Sequence, residues 1–136
     1  MDLLNAMKLS AAGMKAQSFR MRIVSENLAN ADNMPAEEGA NPYRRKLVTF
    51  KNVLDRTIGV ARVQVDRVQF DKTEFNRKYD PGHPGADAQG FVSMPNVKSM
   101  IEMMDMKQAQ RAYEANLGVI QAAKSMLQKT VDLLRS

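Results

Sequence analysis

Near the carboxyl end of the chain, residues 103–134 have the sequence MMDMKQAQRAYEANLGVIQAAKSMLQKTVDLL, in which large apolar side chains recur every seven residues. Such a repeat places apolar side chains on one face of an α-helix. One row consists of Met106, Tyr113, Ile120, Leu127 and Leu134, and its companion row of Met103, Leu117 and Val131. Because Asn96 follows Pro95 and asparagine is a favoured N-cap, we predict that a helix begins there and covers residues 97–134, a length of roughly 57 Å.

The amino-terminal residues 2–30 carry the same repeat. The larger side chains are those of Met7, Met14, Met21 and Leu28, and the positions opposite them hold Leu4, Ala11, Ser18 and Ser25. No proline interrupts the segment, and Gly13 is its weak point, at a cost of about 1 kcal/mol relative to alanine. We therefore predict a second long helix. Two such helices leave apolar side chains that neither can cover alone, so we expect them to pack against neighbouring subunits.

The centre of the chain has a different pattern, typical of loops and short strands. Residues 32–41 are rich in Gly, Pro and acidic side chains and predict a loop, and residues 80–85 are a run of turn-formers. We expect strands over 46–54, 60–65 and 68–75, with a turn or bulge near Asp66-Arg67 and an extended segment through Phe91, Val92 and Met94. The predicted fold is mainly α, with a helix over 1–30, a small irregular β-rich segment over 31–96 and a helix over 97–136.

The composition excludes several classes of protein. The chain has 136 residues and contains neither Cys nor Trp, which excludes a disulfide scaffold, a cysteine-ligated metal and a thiol nucleophile. Its 20 Lys and Arg exceed its 15 Asp and Glu by five, and the surplus is spread thinly along the sequence. Basic residues outnumber acidic ones by four to two in residues 1–30, ten to nine in 31–95 and six to four in 96–136. A nucleic-acid binder usually concentrates its positive charge, so this distribution favours an ordinary solvated surface.

No membrane span or cleaved signal peptide is expected. The longest stretch without a charged residue is Ala88–Val97, ten residues, against the roughly 20 apolar residues that a span requires. Asn5 and Lys8 interrupt the apolar segment that a cleaved signal would need.

The single histidine is the obvious candidate for chemistry. His83 lies between Asp80 and Asp87, and an imidazole with two carboxylates can bind a metal or transfer protons. A histidine in a Pro- and Gly-rich turn is more often structural, and no Gly-rich phosphate loop is present in the sequence. The sequence therefore predicts no catalytic residue, no cofactor and no metal site.

Two further clusters admit both a functional and a structural interpretation. The methionines Met100, Met103, Met104 and Met106 could bind Cu(I), but methionines at helical spacing usually serve packing, within the chain or against another subunit. The basic triplet Arg44-Arg45-Lys46 could contact phosphate, but we expect it to pair with acidic side chains of a neighbouring strand or subunit.

Several motifs resemble those of the bacterial flagellar rod, hook and filament family. Ser25–Ala31, SENLANA, and Pro42–Lys46, PYRRK, resemble the amino-terminal motif of the family, and Tyr79–Pro84 and Met94–Val97 resemble motifs that are specific to rod proteins. The residues that carry the resemblance are Asn27, Leu28, Ala29, Asn30, Tyr43, Arg44, Arg45, Asp80, Pro81, His83, Pro84, Pro95, Asn96 and Val97. The loop after Asn30 departs from the family, with Asp32-Asn33-Met34 and an insertion through Ala40 before Asn41-Pro42-Tyr43.

The resemblance implies a structural protein of the flagellar basal body. It implies an antiparallel, coiled-coil-like pair of terminal helices that lines a hollow helical tube, the proximal rod, which serves in motility as a drive shaft and as an export channel. The implied location is the periplasm, reached through the flagellar type III export apparatus without a cleaved signal peptide. The implied partners are further copies of the chain, the rod proteins FlgB, FlgF and FlgG, and FliE, with no small-molecule substrate and no nucleic acid.

We expect the apolar rows of both helices to form the assembly interface. These residues are Leu4, Met7, Ala11, Met14, Met21, Leu28, Met103, Met106, Tyr113, Leu117, Ile120, Leu127, Val131 and Leu134. The alternative function is a basic helical bundle that binds nucleic acid, for which we would expect a concentrated basic face and an affinity that falls steeply with salt.

Overall fold

The computed structural model describes residues 2–136, which form two long helices with four strands between them. The elements, in chain order, are α1 (Leu3–Ala29), β1 (Lys46–Asp55), β2 (Val60–Phe70), β3 (Asn76–Tyr79), β4 (Phe91–Met94) and α2 (Ser99–Arg135). The prediction of long helices at both ends around a small β-rich centre is confirmed. Among the described residues, neither helix contains a segment apolar enough to cross a lipid bilayer.

The strands form two separate two-stranded sheets. β1 pairs with β2, and the tight turn between them ends at Gly59, whose φ of +70° is accessible to glycine at little cost. β3 and β4 are antiparallel, with Asn76 opposite Met94 and Tyr79 opposite Phe91. A ring contact between Tyr79 and Phe91, with centroids 5.3 Å apart, reinforces that pair.

The expected turn near Asp66-Arg67 is absent, because β2 continues through these residues to Phe70. Val63, Val65 and Gln69 of β2 are half-buried, but the alternation is interrupted at 66–68, where three residues in a row are exposed. Val68 and Phe70 are exposed instead, at 40% and 62% of their surface. In the sequence, the apolar residues change from odd positions, Val63 and Val65, to even ones, Val68 and Phe70, because the latter two face solvent. The strand that we expected over 68–75 is the last part of β2 and ends at Phe70.

The predicted N-cap of α2 is also wrong. α2 begins at Ser99, and the N–H of Glu102 donates to the carbonyl of Lys98 at 3.1 Å, which makes Lys98 the residue that starts the helix. The Asn96 side chain instead accepts a hydrogen bond from the Arg45 N–H at 2.7 Å and donates to the carbonyl of Asp71 at 3.0 Å. Because these bonds use both ends of its amide, Asn96 connects strands and does not cap the helix.

The chain forms two compact units, to which both helices contribute. Unit 1 comprises Met1–Met21, Thr49–Arg67 and Lys107–Ser136, and unit 2 comprises Arg22–Val48 and Val68–Met106. The buried positions of the helices in unit 1 are small, namely Ser10, Gly13, Ala16, Ala109 and Ala123. The core of unit 2 contains Ile23, Val24, Ala31, Val92 and Val97, together with the buried polar side chains of Asn27, Asn96 and Glu102.

Candidate assembly surface

Asn27 lies at the centre of a hydrogen-bonded cluster in unit 2. It is 1% exposed, and its Nδ2 donates to the carbonyl of Lys46 at 2.9 Å and to Glu102 Oε2 at 3.1 Å. Its Oδ1 accepts from the Lys46 N–H at 3.0 Å and from the Tyr43 hydroxyl at 2.8 Å. Both ends of the amide are therefore fully used, and they connect the end of α1 to the start of β1 and to the first turn of α2.

Arg45 neutralises the carboxylate that Asn27 contacts. Its Nε donates to Glu102 Oε1, its Nη1 lies 3.2 Å from Asp71 Oδ2, and its Nη2 lies 3.4 Å from Asp105 Oδ2. Glu102 is 0% exposed, and such a buried carboxylate is tolerated only when it is paired and hydrogen-bonded. Burial alone would lower the pKa of Arg45, but the hydrogen bond and charge of Glu102, followed by those of Asp71, raise it above its ordinary value. We call Asn27, Tyr43, Arg45 and Glu102, with the backbone of Lys46, the polar junction.

The electrostatics of the polar junction keep the Tyr43 hydroxyl protonated. Burial raises the pKa of Tyr43, and the negative charges of Glu26 and Glu102 raise it further. A protonated phenol can donate to Asn27 Oδ1, as the geometry requires.

The other two members of the basic triplet have different contacts from Arg45. Lys46 Nζ pairs with Glu26 Oε2 at 3.0 Å, an acidic side chain of α1 and not of a neighbouring strand or subunit as we expected. Arg44 instead donates from Nη1 to the carbonyl of Asp71 at 2.8 Å, and its guanidinium carbon lies 4.2 Å from the centroid of the Phe75 ring. The triplet therefore connects three parts of unit 2: the end of α1 at Glu26, the segment after β2 at Asp71 and the first turn of α2 at Glu102.

The motif residues Asp80, Pro81, His83 and Pro84 form a turn that is held by hydrogen bonds. The His83 N–H donates to the carbonyl of Asp80 at 3.1 Å, and His83 Nδ1 accepts from the Gly85 N–H at 3.0 Å. The backbone N–H of Phe91 lowers the pKa of Asp87, and the N–H of Gln89 and the charge of Arg77 add to the effect. In residues 2–136 no three His, Asp or Glu side chains are grouped as metal ligands.

The remaining motif residues lie close to these clusters. Asn30 Nδ2 donates to the carbonyl of Glu26 at 2.8 Å, so it secures the last turn of α1. Leu28 is half-buried and Ala29 is exposed, whereas Pro95 and Val97 are buried beside Asn96, and Pro81 and Pro84 are exposed.

The residues that we expect to form the assembly interface divide into two groups by exposure. Half-buried in the chain are Met7, Met14, Met21, Leu28, Met106, Tyr113, Ile120 and Leu127. Exposed are Leu4, Ala11, Met103, Leu117, Val131 and Leu134. The exposed group lacks cover from the chain itself, as the surface of an assembling subunit would.

The row that packs inside the molecule is one that the sequence analysis did not select. Glu102, Ala109, Asn116 and Ala123 also follow a seven-residue spacing, and all four are buried or half-buried. A Cβ built on Gly13 would lie 2.8 Å from Asn116 Nδ2, so the two helices approach closely in unit 1. Small side chains at this spacing were the signal that could have identified the close contact.

Comparison with known proteins agrees with these observations. Residues 88–133 match the family model described as the C-terminal part of the flagellar basal body rod FlgEFG proteins. The flagellar basal-body rod protein FlgC of Agrobacterium fabrum is 49% identical over all of this chain and 99% of its own length. FlgC of Salmonella typhimurium is 40% identical over 98% of both chains, and FlgC of Bacillus subtilis is 35% identical over 98% of this chain and 99% of its own.

These relatives give no support to a nucleic-acid-binding function. At this identity and coverage, the chain belongs to the FlgC family of flagellar basal-body rod proteins, as a structural subunit of the rod and not an enzyme.

Proposed function

We propose that this rod subunit belongs to the proximal rod and assembles there into a hollow drive shaft that transmits torque and conducts exported subunits. Its proposed neighbours are further copies of itself, FlgB, FlgF and FlgG, and FliE. The observation that carries the proposal is the run of large apolar side chains that α2 leaves in solvent. Along the predicted rows, the exposed fractions are 53% for Met103, 36% for Leu117, 42% for Val131 and 82% for Leu134.

We propose that α1 and α2 pair in an antiparallel manner. Two contacts in unit 1 support this arrangement. Gly13 lies against Asn116, and Arg20 Nη2 donates to Gln108 Oε1 at 3.2 Å. From position 13 to position 20 of α1, the neighbouring position of α2 changes from 116 to 108, as in an antiparallel pair.

Burial of the exposed rows would provide the driving force for assembly. At about 25 cal/mol per Å² of apolar surface removed from water, a few hundred Å² buried against each neighbour stabilises the assembly by several kcal/mol. Part of that free energy would also stabilise the folded subunit, because binding of a partner to the folded state alone shifts the folding equilibrium.

We further propose that the subunit reaches the periplasm through the flagellar type III export apparatus. Membership of a family of flagellar basal-body rod proteins supports this route.

The test is a substitution at the most exposed position of the apolar row. Leu134→Asp introduces a negative charge at a position whose side chain contributes little to the stability of the isolated subunit. We therefore expect an unchanged thermal unfolding temperature. In a strain that lacks its own copy, we expect the variant to enter the rod poorly and to restore little motility. The matched control is Ser136→Asp, an equally acidic change at another exposed position. Normal rod incorporation of Leu134→Asp would contradict the proposal.

A further inference from the structure

The two units of the chain carry charges of opposite sign. Unit 1 contains twelve Lys and Arg against five Asp and Glu, a net charge of +7, and unit 2 contains eight against ten, a net charge of −2. The surplus that looked thin along the sequence is therefore concentrated, because unit 1 collects both ends of the chain and the turn between β1 and β2. A chain with one basic and one acidic unit has complementary surfaces for a second copy of itself.

Three of the twelve basic side chains of unit 1 are exposed on one face of α2. Ala109, Asn116 and Ala123 face inward, and helical periodicity places Lys107, Arg111 and Lys129 on the opposite face. All three cations are exposed, and none of them forms an ion pair within residues 2–136. Glu114 lies within this face, three residues after Arg111, and is its one acidic side chain between Lys107 and Lys129.

Small residues leave room for a partner between these cations. Four of the outward positions that separate Arg111 from Lys129 hold small exposed residues, Ala115, Gly118, Ala122 and Ser125, and two hold the longer exposed side chains of Glu114 and Gln121. A Cβ built on Gly118 meets no neighbouring atom within 4 Å, so the space above it is open. We call the exposed side of α2 from Lys107 to Lys129 the basic face.

Unit 2 offers the complementary charge on the loop between α1 and β1. From Asn27 to Tyr43 the chain contains Asp32, Glu37 and Glu38 and no Lys or Arg. All three carboxylates are exposed, and none forms an ion pair in the part of the chain that the structure describes. Neither the polar junction nor the turn at His83 uses them.

We propose that the basic face of one copy binds the acidic loop, residues 32–38, of a second copy. The inference rests on the proposed assembly function and assigns this face its partner. In a head-to-tail contact of this kind, each copy at an end presents a free loop or a free face. Such contacts build a ring where the rotation between copies closes and a helical filament where it does not.

The test is a charge exchange followed by sedimentation velocity of the full chain. Glu37→Lys with Glu38→Lys forms the loop variant, and Lys107→Glu with Arg111→Glu forms the face variant. We expect each variant alone to self-associate about tenfold or more weakly than the unmodified chain, because like charges then oppose each other at the contact. We expect an equimolar mixture to regain association, since each variant presents the complement of the other.

A variant with unchanged charge separates docking from folding. Gly118→Leu fills the open space on the basic face and improves helix propensity, so we expect it to keep or raise the unfolding temperature while it weakens self-association. Self-association of the unmodified chain is expected to fall as the salt concentration rises.

Three results would overturn the inference: variants that associate as the unmodified chain does, a mixture that does not regain association, or an unmodified chain that stays monomeric. Binding of duplex DNA or anionic vesicles by Lys107 and Arg111 in a chain that does not bind itself would also overturn it. If the charge variants still enter the rod and restore motility, only the inference fails. If Leu134→Asp enters the rod normally, the proposed function fails.

Discussion

Asn27 makes four hydrogen bonds through one side chain, so its removal affects several buried groups at once. Asn27→Ala would remove one hydrogen bond from Glu102, one from the Tyr43 hydroxyl and two from the backbone of Lys46. Each buried polar group left unsatisfied costs about 1–3 kcal/mol, and partial rearrangement recovers some of that. We expect the free energy of unfolding, measured by chemical denaturation, to fall by about 2–3 kcal/mol.

The matched control for this substitution is Asn33→Ala. Asn33 is exposed and donates only to Asn30 Oδ1 through its side chain. We expect that variant to change the free energy of unfolding by less than about 0.5 kcal/mol. Equal stability of the two variants would show that the polar junction does not stabilise unit 2.

Asp71 makes the stability of unit 2 dependent on acid. The backbone N–H of Thr73 lowers the pKa of Asp71 below its ordinary 3.8, and the Thr73 hydroxyl and Arg45 add to that effect although burial opposes it. A carboxylate whose pKa is lower in the folded than in the unfolded chain stabilises the fold. This contribution is fully present at a pH above the pKa in the unfolded chain, and it is lost as the pH falls through the pKa in the folded chain. We expect Asp71→Asn to flatten the decrease in the unfolding temperature below about pH 4.

The control for acid dependence is Glu37→Gln, the same carboxylate-to-amide change at an exposed position. A decrease that is as steep in Asp71→Asn as in Glu37→Gln would contradict the assignment.

Single-residue contacts were the least predictable feature of the chain. The sequence indicated that Arg44-Arg45-Lys46 would find acidic partners, but Glu102 lies 57 positions beyond Arg45. Which acidic side chain pairs with a given Lys or Arg depends on the tertiary fold, and the local sequence pattern contains no information on that. Asn96 illustrates the same limit, because a favourable N-cap residue forms hydrogen bonds to strands that the sequence could not place beside it.

Among the elements, Gly13 sets the distance between α1 and α2 in unit 1. A Cβ at this position would lie 2.8 Å from Asn116 Nδ2, which donates to the carbonyl of Ala112 at 2.9 Å. Replacement of a helical glycine by alanine normally stabilises a helix by about 1 kcal/mol. We expect Gly13→Ala to lose part of this gain, because the Asn116 amide must move away from the new methyl group and out of its hydrogen bond.

A second substitution makes this prediction decisive. When Asn116→Ala removes the obstructing amide, we expect Gly13→Ala to stabilise the chain by up to about 1 kcal/mol. The measurement is a double-mutant cycle from chemical denaturation, with Gly118→Ala as the control in open space. A Gly13→Ala effect of the same size in both backgrounds would show that the Asn116 amide does not obstruct a Cβ at position 13.

The helices were predictable because their seven-residue repeat is a local property of the sequence. The bounds of α1 and α2, Leu3–Ala29 and Ser99–Arg135, lie within two residues of the predicted ends. The inward face was less predictable, because we gave most weight to large side chains. Close approach of two helices requires small ones, so Gly13 and Ala109 pack inside while the row from Met7 to Leu28 lies at the margin.

On the scale of the whole molecule, the unusual property is apolar surface that the chain does not bury. Apart from the interface rows, Met100, Met104, Met126 and Leu133 are between 54% and 76% exposed. The sequence predicted that the helices would need neighbours, since the number of apolar residues exceeded what two helices can cover. It did not predict the charge difference between units, because those units join segments that are distant in sequence.

The most direct test of burial on assembly is the solvent exposure of methionine methyl groups, measured by NMR with a soluble paramagnetic agent. In the isolated chain we expect strong broadening of Met103 and Met126 and weaker broadening of the half-buried Met7 and Met14. After addition of the purified neighbouring rod proteins, we expect the broadening of Met103 and Met126 to disappear. Continued exposure of both methyl groups within an assembled rod would contradict the account.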